Sequence, residues 1–244
     1  MAKKQPKLVL RESCIADVTK GWAAGSFFEA GAGTGHMSRI FLDRGFHGAS
    51  HDLGESSRQA IRDNLAPYGE RMTVVDSVDE LADASFDYLL AFEVLEHIEN
   101  DAEVLASWAG KLRHGGRILI SVPAHARKYG RSDAMVGHVR RYERAEMQRL
   151  LAGAGFDDIQ IINYGYPVTE LTRRVSNRMI KGAGDFDGLS AEERSVRSAQ
   201  VKPKIIERML KIVGGNVFVP FCWIQRLFYR YDLGDGLVAS AVRR

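Results

Sequence analysis

Between residues 26 and 164 the chain alternates short apolar runs with amphipathic stretches, and this alternation admits very few folds. Phe27-Phe28 ends a first run, and further runs of strand length cover 47–52, 72–76, 88–92, 117–122 and 159–164. Helical spacing fills the intervals. Residues 11–22 place Ile15, Val18 and Trp22 on one face. Residues 101–112 align Val104, Leu105, Trp108 and Leu112 ahead of Gly115-Gly116, which are positioned to end that helix. Residues 144–154 turn Met147, Leu150 and Leu151 inward before Gly155. Strands separated by helices predict an α/β fold, a mostly parallel sheet covered on both faces. At 244 residues the expectation is a single domain over 1–244.

Beyond Gly165 the rhythm breaks. Helical stretches are expected over 167–179, 191–199, 205–213 and 221–231, with a glycine-rich turn at 182–188, before 236–242 supplies a last strand. A connection this long must carry structure of its own, so 165–231 is read as a helical cap inserted in the domain and forming part of an acceptor pocket. Packing without function, a homodimer contact and shallow membrane association are the alternatives. The apolar residues Val217 to Phe221, Trp223-Ile224 and Leu227-Phe228 are too many to stand bare on a monomer, so something is expected to cover them.

The first strand-to-helix turn reads Glu29-Ala-Gly31-Ala-Gly33-Thr-Gly35. In an open parallel sheet this turn faces the ligand crevice. Glycines there let the backbone take left-handed angles and approach a ligand closely. A dinucleotide motif would space its third glycine one residue later, where His36 stands. Glu29 would repel a phosphate and favours a cationic ligand.

These residues resemble the first motif of class I S-adenosylmethionine-dependent methyltransferases, in which the acid and glycines receive the methionine end of the cofactor. Further segments agree in order. Asp52 stands 17 residues past Gly35, where the family places the acid that binds both ribose hydroxyls, and Leu53 follows it. Asp76-Ser77 falls where the adenine amino group is received. The segment FDYLLAFEVLEHIEND, residues 86–101, is similar to the fourth-strand region of the small-molecule branch, with Phe92, Glu93 and Val94 near the adenine. LRHGGRILISVPA and GHVRRYERAEMQRLLAGAGF continue the pattern. The match covers residues 11–164 and the last strand. It resembles the type 11/12 methyltransferases, including those of quinone biosynthesis. It implies a Rossmann-like seven-stranded sheet of order 3-2-1-4-5-7-6, its last strand antiparallel, and S-adenosyl-L-methionine as cofactor. On the residues alone, the glycines also fit a tight turn and Asp52 a turn cap. Asp79 competes with Asp76, and Glu93 and Glu96 fit helix-start carboxylates.

A hydroxyl acceptor must lose a proton, and histidine titrates near neutrality. His97, His125 and His138 follow the fourth and fifth strands and are the candidate bases. Tyr142 could position an acceptor or simply pack. Arg140, Arg141 and Arg144 could hold an acidic acceptor or an RNA phosphate, or form a solvated helix start. The expected reaction, of EC class 2.1.1, is methyl transfer to a small apolar or aromatic metabolite on oxygen. Nitrogen or carbon transfer and a non-catalytic regulatory or assembly protein that binds the cofactor are the alternatives. Nucleic acid is disfavoured as a substrate, because the fourth strand ends Ala91-Phe92-Glu93-Val94, without the Asn/Asp-Pro-Pro-aromatic sequence or Pro-Cys nucleophile of DNA-modifying enzymes. A net charge of +3 is too mild to argue otherwise. No His or carboxylate grouping has a metal-ligand spacing. Cys14 and Cys222 form no paired motif, the polar start lacks a signal-peptide core, and no run is long enough to span a membrane; a cytoplasmic protein is expected.

Overall fold

A computed structural model describes residues 5–179 and 218–244, without the side chains of 175–179. Its strands are β1 (Ser26–Ala30), β2 (His47–His51), β3 (Met72–Val74), β4 (Phe86–Phe92), β5 (Leu112–Pro123), β6 (Phe156–Tyr164) and β7 (Gly236–Arg243). They form one seven-stranded sheet in the order β3-β2-β1-β4-β5-β7-β6. β1 to β5 pair in parallel, with Phe28 opposite Ala49 on one side and Leu89 on the other. β7 runs against β6: the Arg244 N–H donates to the Gly155 carbonyl at 3.0 Å and the Asp235 N–H to that of Tyr164 at 3.1 Å, so opposite strand ends meet.

The described helices are α1 (Pro6–Val18), α2 (His36–Leu42), α3 (Glu55–Leu65), α4 (Asp101–Lys111), α5 (Arg131–Val136), α6 (Arg144–Gly153), α7 (Val168–Met179) and α8 (Val219–Arg226). The chain divides into two compact units. One comprises residues 22–122, 145–161 and 239–244, and the other 1–21, 123–144 and 162–238.

In the first unit, β1 is buried over Phe27, Phe28, Glu29 and Ala30, as a central parallel strand must be. Phe27, Phe41, Phe46 and Tyr88 form a chain of aromatic contacts with centroids 5.3–6.1 Å apart. Burying rings such as Phe41 and Phe46, both within 1% of full burial, stabilises the unit by roughly 1.5–3 kcal/mol each. In the second unit, α1 packs against α7 and α8. Fully buried Gln225 ties that packing together, donating to the Leu10 carbonyl at 3.0 Å and accepting from the Gly165 N–H at 3.1 Å.

Several boundaries differ from the sequence reading. α1 starts at Pro6, a residue well suited to a first helical turn, and stops at Val18. Trp22 lies outside it and stacks on Tyr88 at 4.7 Å. Gly115-Gly116 do not end α4, because β5 begins directly at Leu112. There the β4–β5 register slips between Phe86 and Tyr88. A Cβ at Gly116 would lie 2.9 Å from the Arg113 carbonyl and 3.1 Å from that of Asp87, so glycine serves the bulge. β3 ends at Val74, β6 starts at Phe156, and α8 covers Val219–Arg226 in place of 221–231. The expected elements at 182–188, 191–199 and 205–213, and Val217, lie outside the described residues. Trp223 and Leu227, expected to be covered, stand 66% and 73% exposed.

Candidate functional site

The three glycines of the β1–α2 turn all take positive φ, at 67°, 60° and 75° for Gly31, Gly33 and Gly35. Each does so for a different reason. A Cβ at Gly31 would meet Val94 at 2.5 Å, and one at Gly35, the residue capping α2, would meet Leu65 at 2.9 Å. A Cβ at Gly33 would meet nothing within 4 Å. Gly31 and Gly35 are therefore needed for packing, and Gly33 is the exposed residue over which a ligand has room. The loop is pinned to β2, since the N–H groups of Gly31 and Ala32 both donate to the His51 carbonyl, at 2.9 and 3.1 Å.

Glu29 lies beneath this loop, 2% exposed, its carboxylate accepting from the Ser38 hydroxyl. Ser38 in turn is 2.7 Å from the Ser50 hydroxyl. The two serines support the acid from α2 and β2 and escaped the sequence reading. Their signal was there, as small hydroxyls at positions that periodicity assigns to the core.

Asp52 immediately follows β2. Its Oδ2 accepts the Gly33 N–H at 2.8 Å and its Oδ1 the Gly54 N–H at 3.4 Å, which joins the expected ribose acid to the glycine loop. Leu53 beside it is 81% exposed. Asp76 lies two residues beyond β3, and its Oδ1 pairs with Arg62 at 2.6 Å and with Arg58 at 3.2 Å. Asp79 accepts from the Ser77 hydroxyl at 3.5 Å, and Ser77 caps the short 3-10 turn Val78–Glu80 in a capping box with Glu80.

At the end of β4, Phe92 is 7% exposed and Glu93 takes a positive φ of 57°. Its N–H donates to the Ser121 carbonyl at 2.8 Å and its carboxylate accepts from the Ser121 hydroxyl at 3.2 Å, which holds the strained turn in place. Val94 packs into the space that Gly31 leaves. Neither Glu93 nor Glu96 starts α4, whose first-turn acids are Asp101 and Glu103. Glu96 is fully buried and His97 half-buried in the 3-10 turn Leu95–His97.

The other two histidines belong to the second unit. His125 is 4% exposed and has φ 66°. Its Nδ1 lies 3.2 Å from Glu143 and its Nε2 3.4 Å from the Asn163 amide, while Glu143 also accepts the Ala126 N–H at 3.0 Å. Both ring nitrogens are committed to holding the turn. His138 Nδ1 lies 2.9 Å from Asp133 Oδ1, with the imidazole 11% exposed. Asp133 also accepts from Arg141 Nε at 2.9 Å, and Arg141 pairs with Asp235 at 2.9 Å. Arg141 is thus a buried structural ion, not a solvated helix start. Burial alone would push the Asp133 carboxyl up, yet the His138 hydrogen bond and the Arg141 charge hold it below the ordinary range. Tyr142 is fully buried, and its backbone bridges to Ala124. Arg144 pairs with Asp232 at 2.8 Å.

A ligand fits the first unit's loop on two counts: open space over Gly33, and a carboxylate already aimed at the same peptide. Among known proteins, the profile of a family described as a methyltransferase domain matches residues 10–161. The ubiquinone biosynthesis O-methyltransferase of Aeromonas salmonicida is 28% identical over 117 residues, which cover 46% of this chain and 49% of that protein. The 1,6-didemethyltoxoflavin-N1-methyltransferase of Burkholderia thailandensis, solved with 1,6-didemethyltoxoflavin and S-adenosylhomocysteine, is 28% identical with a TM-score of 0.51, covering 63% of this chain and 70% of that one. The phosphoethanolamine N-methyltransferase 2 of Haemonchus contortus shares the fold at a TM-score of 0.61 and 15% identity, covering 96% of this chain and 52% of that one. The chain thus spans about half the length of the first and last of these. With the sheet order, the glycine loop and the profile match in agreement, this chain belongs to the S-adenosylmethionine-dependent methyltransferases.

Proposed function

We propose that the protein transfers the methyl group of S-adenosylmethionine to oxygen of a small apolar or aromatic metabolite in a reducing cytoplasm. The observation that carries this reading is the junction of Gly33 and Asp52 at 2.8 Å, which sets a diol-binding carboxylate beside an open glycine. When bound, the sulfonium supplies a methyl carbon open to in-line displacement. The chain's own part is to orient. Asp52 and Leu53 would hold the adenosine half, the buried Glu29 would set the potential beneath the methionine end, and Phe92 and Val94 would wall the purine. Asp76 and Ser77 would receive its amino group.

Deprotonation of a hydroxyl acceptor falls to His138. Asp133 on Nδ1 fixes the ring, whereas His125 has both nitrogens engaged. Transfer to oxygen draws support from the name of the Aeromonas relative, and the Burkholderia relative names a nitrogen acceptor. Both free cysteines are buried, in keeping with a reducing compartment. No described helix is long and apolar enough to cross a membrane.

The test is incubation with methyl-labelled cofactor and a panel of phenols, alcohols and amines. A labelled methyl ether is expected. Label on amine nitrogen alone would move the acceptor to nitrogen, and no label on any acceptor would favour a protein that binds the cofactor without using it.

A further inference from the structure

Arg58, on the first turn of α3, reaches the chain that leaves two neighbouring strands. Its side chain is 14% exposed. Nη1 donates to the Asp52 carbonyl at 2.8 Å and to the Leu53 carbonyl at 2.7 Å. Nε lies 3.2 Å from Asp76 Oδ1, and Nη2 donates to Glu55 at 2.5 Å. One guanidinium therefore ties together the chain leaving β2 and the chain leaving β3.

We infer that Arg58 is a positioning residue for the adenosine half of the cofactor, acting through the Asp52-Leu53 peptide. The inference rests on the proposed role of Asp52. Two successive carbonyls turned toward one cation fix the peptide plane between them. That sets where the Asp52 carboxylate and the Leu53 side chain point. The carboxylate is turned toward Gly33, and Leu53 stands in solvent at 81% exposure. The planar guanidinium suits this arrangement, since Nη1 reaches both carbonyls while Nε and Nη2 are held in fixed directions toward Asp76 and Glu55. Asp76, 65% exposed, closes the far arm of the clamp with Arg62 as its second partner. Its carboxylate acts on the site through Arg58 as well as at its own position.

The constraint matters for binding because a carboxylate that must receive two ribose hydroxyls loses affinity when its backbone is free to turn. Calorimetric titration of S-adenosylhomocysteine and of adenosine into the wild type, Arg58→Met, Asp52→Ala and the double variant tests this. Methionine keeps the stem and removes every donor. Arg58→Met is expected to weaken both ligands by the same factor, about tenfold, because only the adenosine half is affected. In the Asp52→Ala background it is expected to add less than twofold, because the acid it positions is gone. Wild-type affinity in Arg58→Met, or its full loss repeated in the Asp52→Ala background, overturns the inference. Should Arg58→Met not fold, Arg58→Leu is read by the same comparison, since it likewise removes every donor. Undiminished affinity in Asp52→Ala would instead sink the assignment of the site, which separates the two failures.

Discussion

Gly33 gives its N–H to Asp52 Oδ2 across 2.8 Å, so that the loop after β1 and the residue after β2 act as one rigid corner. Both partners are constrained. Gly33 holds φ at 60°, and Asp52 is anchored through Gly54 and Arg58 as well.

The three glycines are expected to separate under alanine substitution. Gly33→Ala has room for its methyl and meets only the left-handed backbone, about 1 kcal/mol of strain, so the fold survives while cofactor affinity falls at least tenfold. Gly31→Ala and Gly35→Ala drive a methyl into Val94 and Leu65 and are expected to lose about 1–3 kcal/mol beyond that strain. Thermal melts of the ligand-free variants, set beside cofactor titrations, check the split.

Ser38 supports Glu29 from the first turn of α2. Ser38→Ala leaves that buried carboxylate short of a donor and is expected to cost about 1–3 kcal/mol in urea unfolding. Glu29→Gln keeps the volume and removes the charge, and is expected to weaken the positively charged sulfonium cofactor more than the uncharged sulfide product. Equal losses for the two would show that Glu29 supports the loop only.

The fold was legible because a 2-and-3.6 periodicity survives wherever a segment packs on one face or two. Strand order and the expected roles of the glycine turn and Asp52 followed from resemblance, and the hydrogen bond that joins Gly33 to Asp52 was not foreseen. What was missed has a common cause. Arg58, Ser38 and Asp133 act through contacts that form only on folding, and their own neighbourhood in sequence carries no more than a small hydroxyl at a core position. Arg141 was read as a solvated helix start because it stands beside Arg140 and near Arg144. The structure buries it between Asp133 and Asp235, a partnership across 94 residues. Gly115-Gly116 were misread because a strand bulge and a helix stop both call for glycine.

Asp133 gives a pH dependence whose sign is fixed. Its carboxyl is held below the ordinary value, so its contribution is fully present above about pH 4 and is lost as pH falls through the lowered native value. Asp133→Asn is expected to cost about 3 kcal/mol at pH 7, because Arg141 keeps only Asp235 as a carboxylate partner, and to flatten the loss of stability below pH 4. Urea unfolding of both proteins at pH 7 and pH 3 reads the difference.

His138→Ala is expected to lower kcat by 10²–10⁴ with an unchanged cofactor Kd, the range for a positioned base. His125→Ala is expected to act on stability first, because Glu143 and Asn163 would both lose a buried partner. Turnover and melting temperature of the two variants distinguish the roles.

The most direct measurement is the affinity of S-adenosylhomocysteine for the wild type and for Asp52→Ala by calorimetry. Micromolar binding that falls at least tenfold on loss of the carboxylate is expected. Equal affinity in the two proteins would contradict the placement of the cofactor at the Gly33–Asp52 corner.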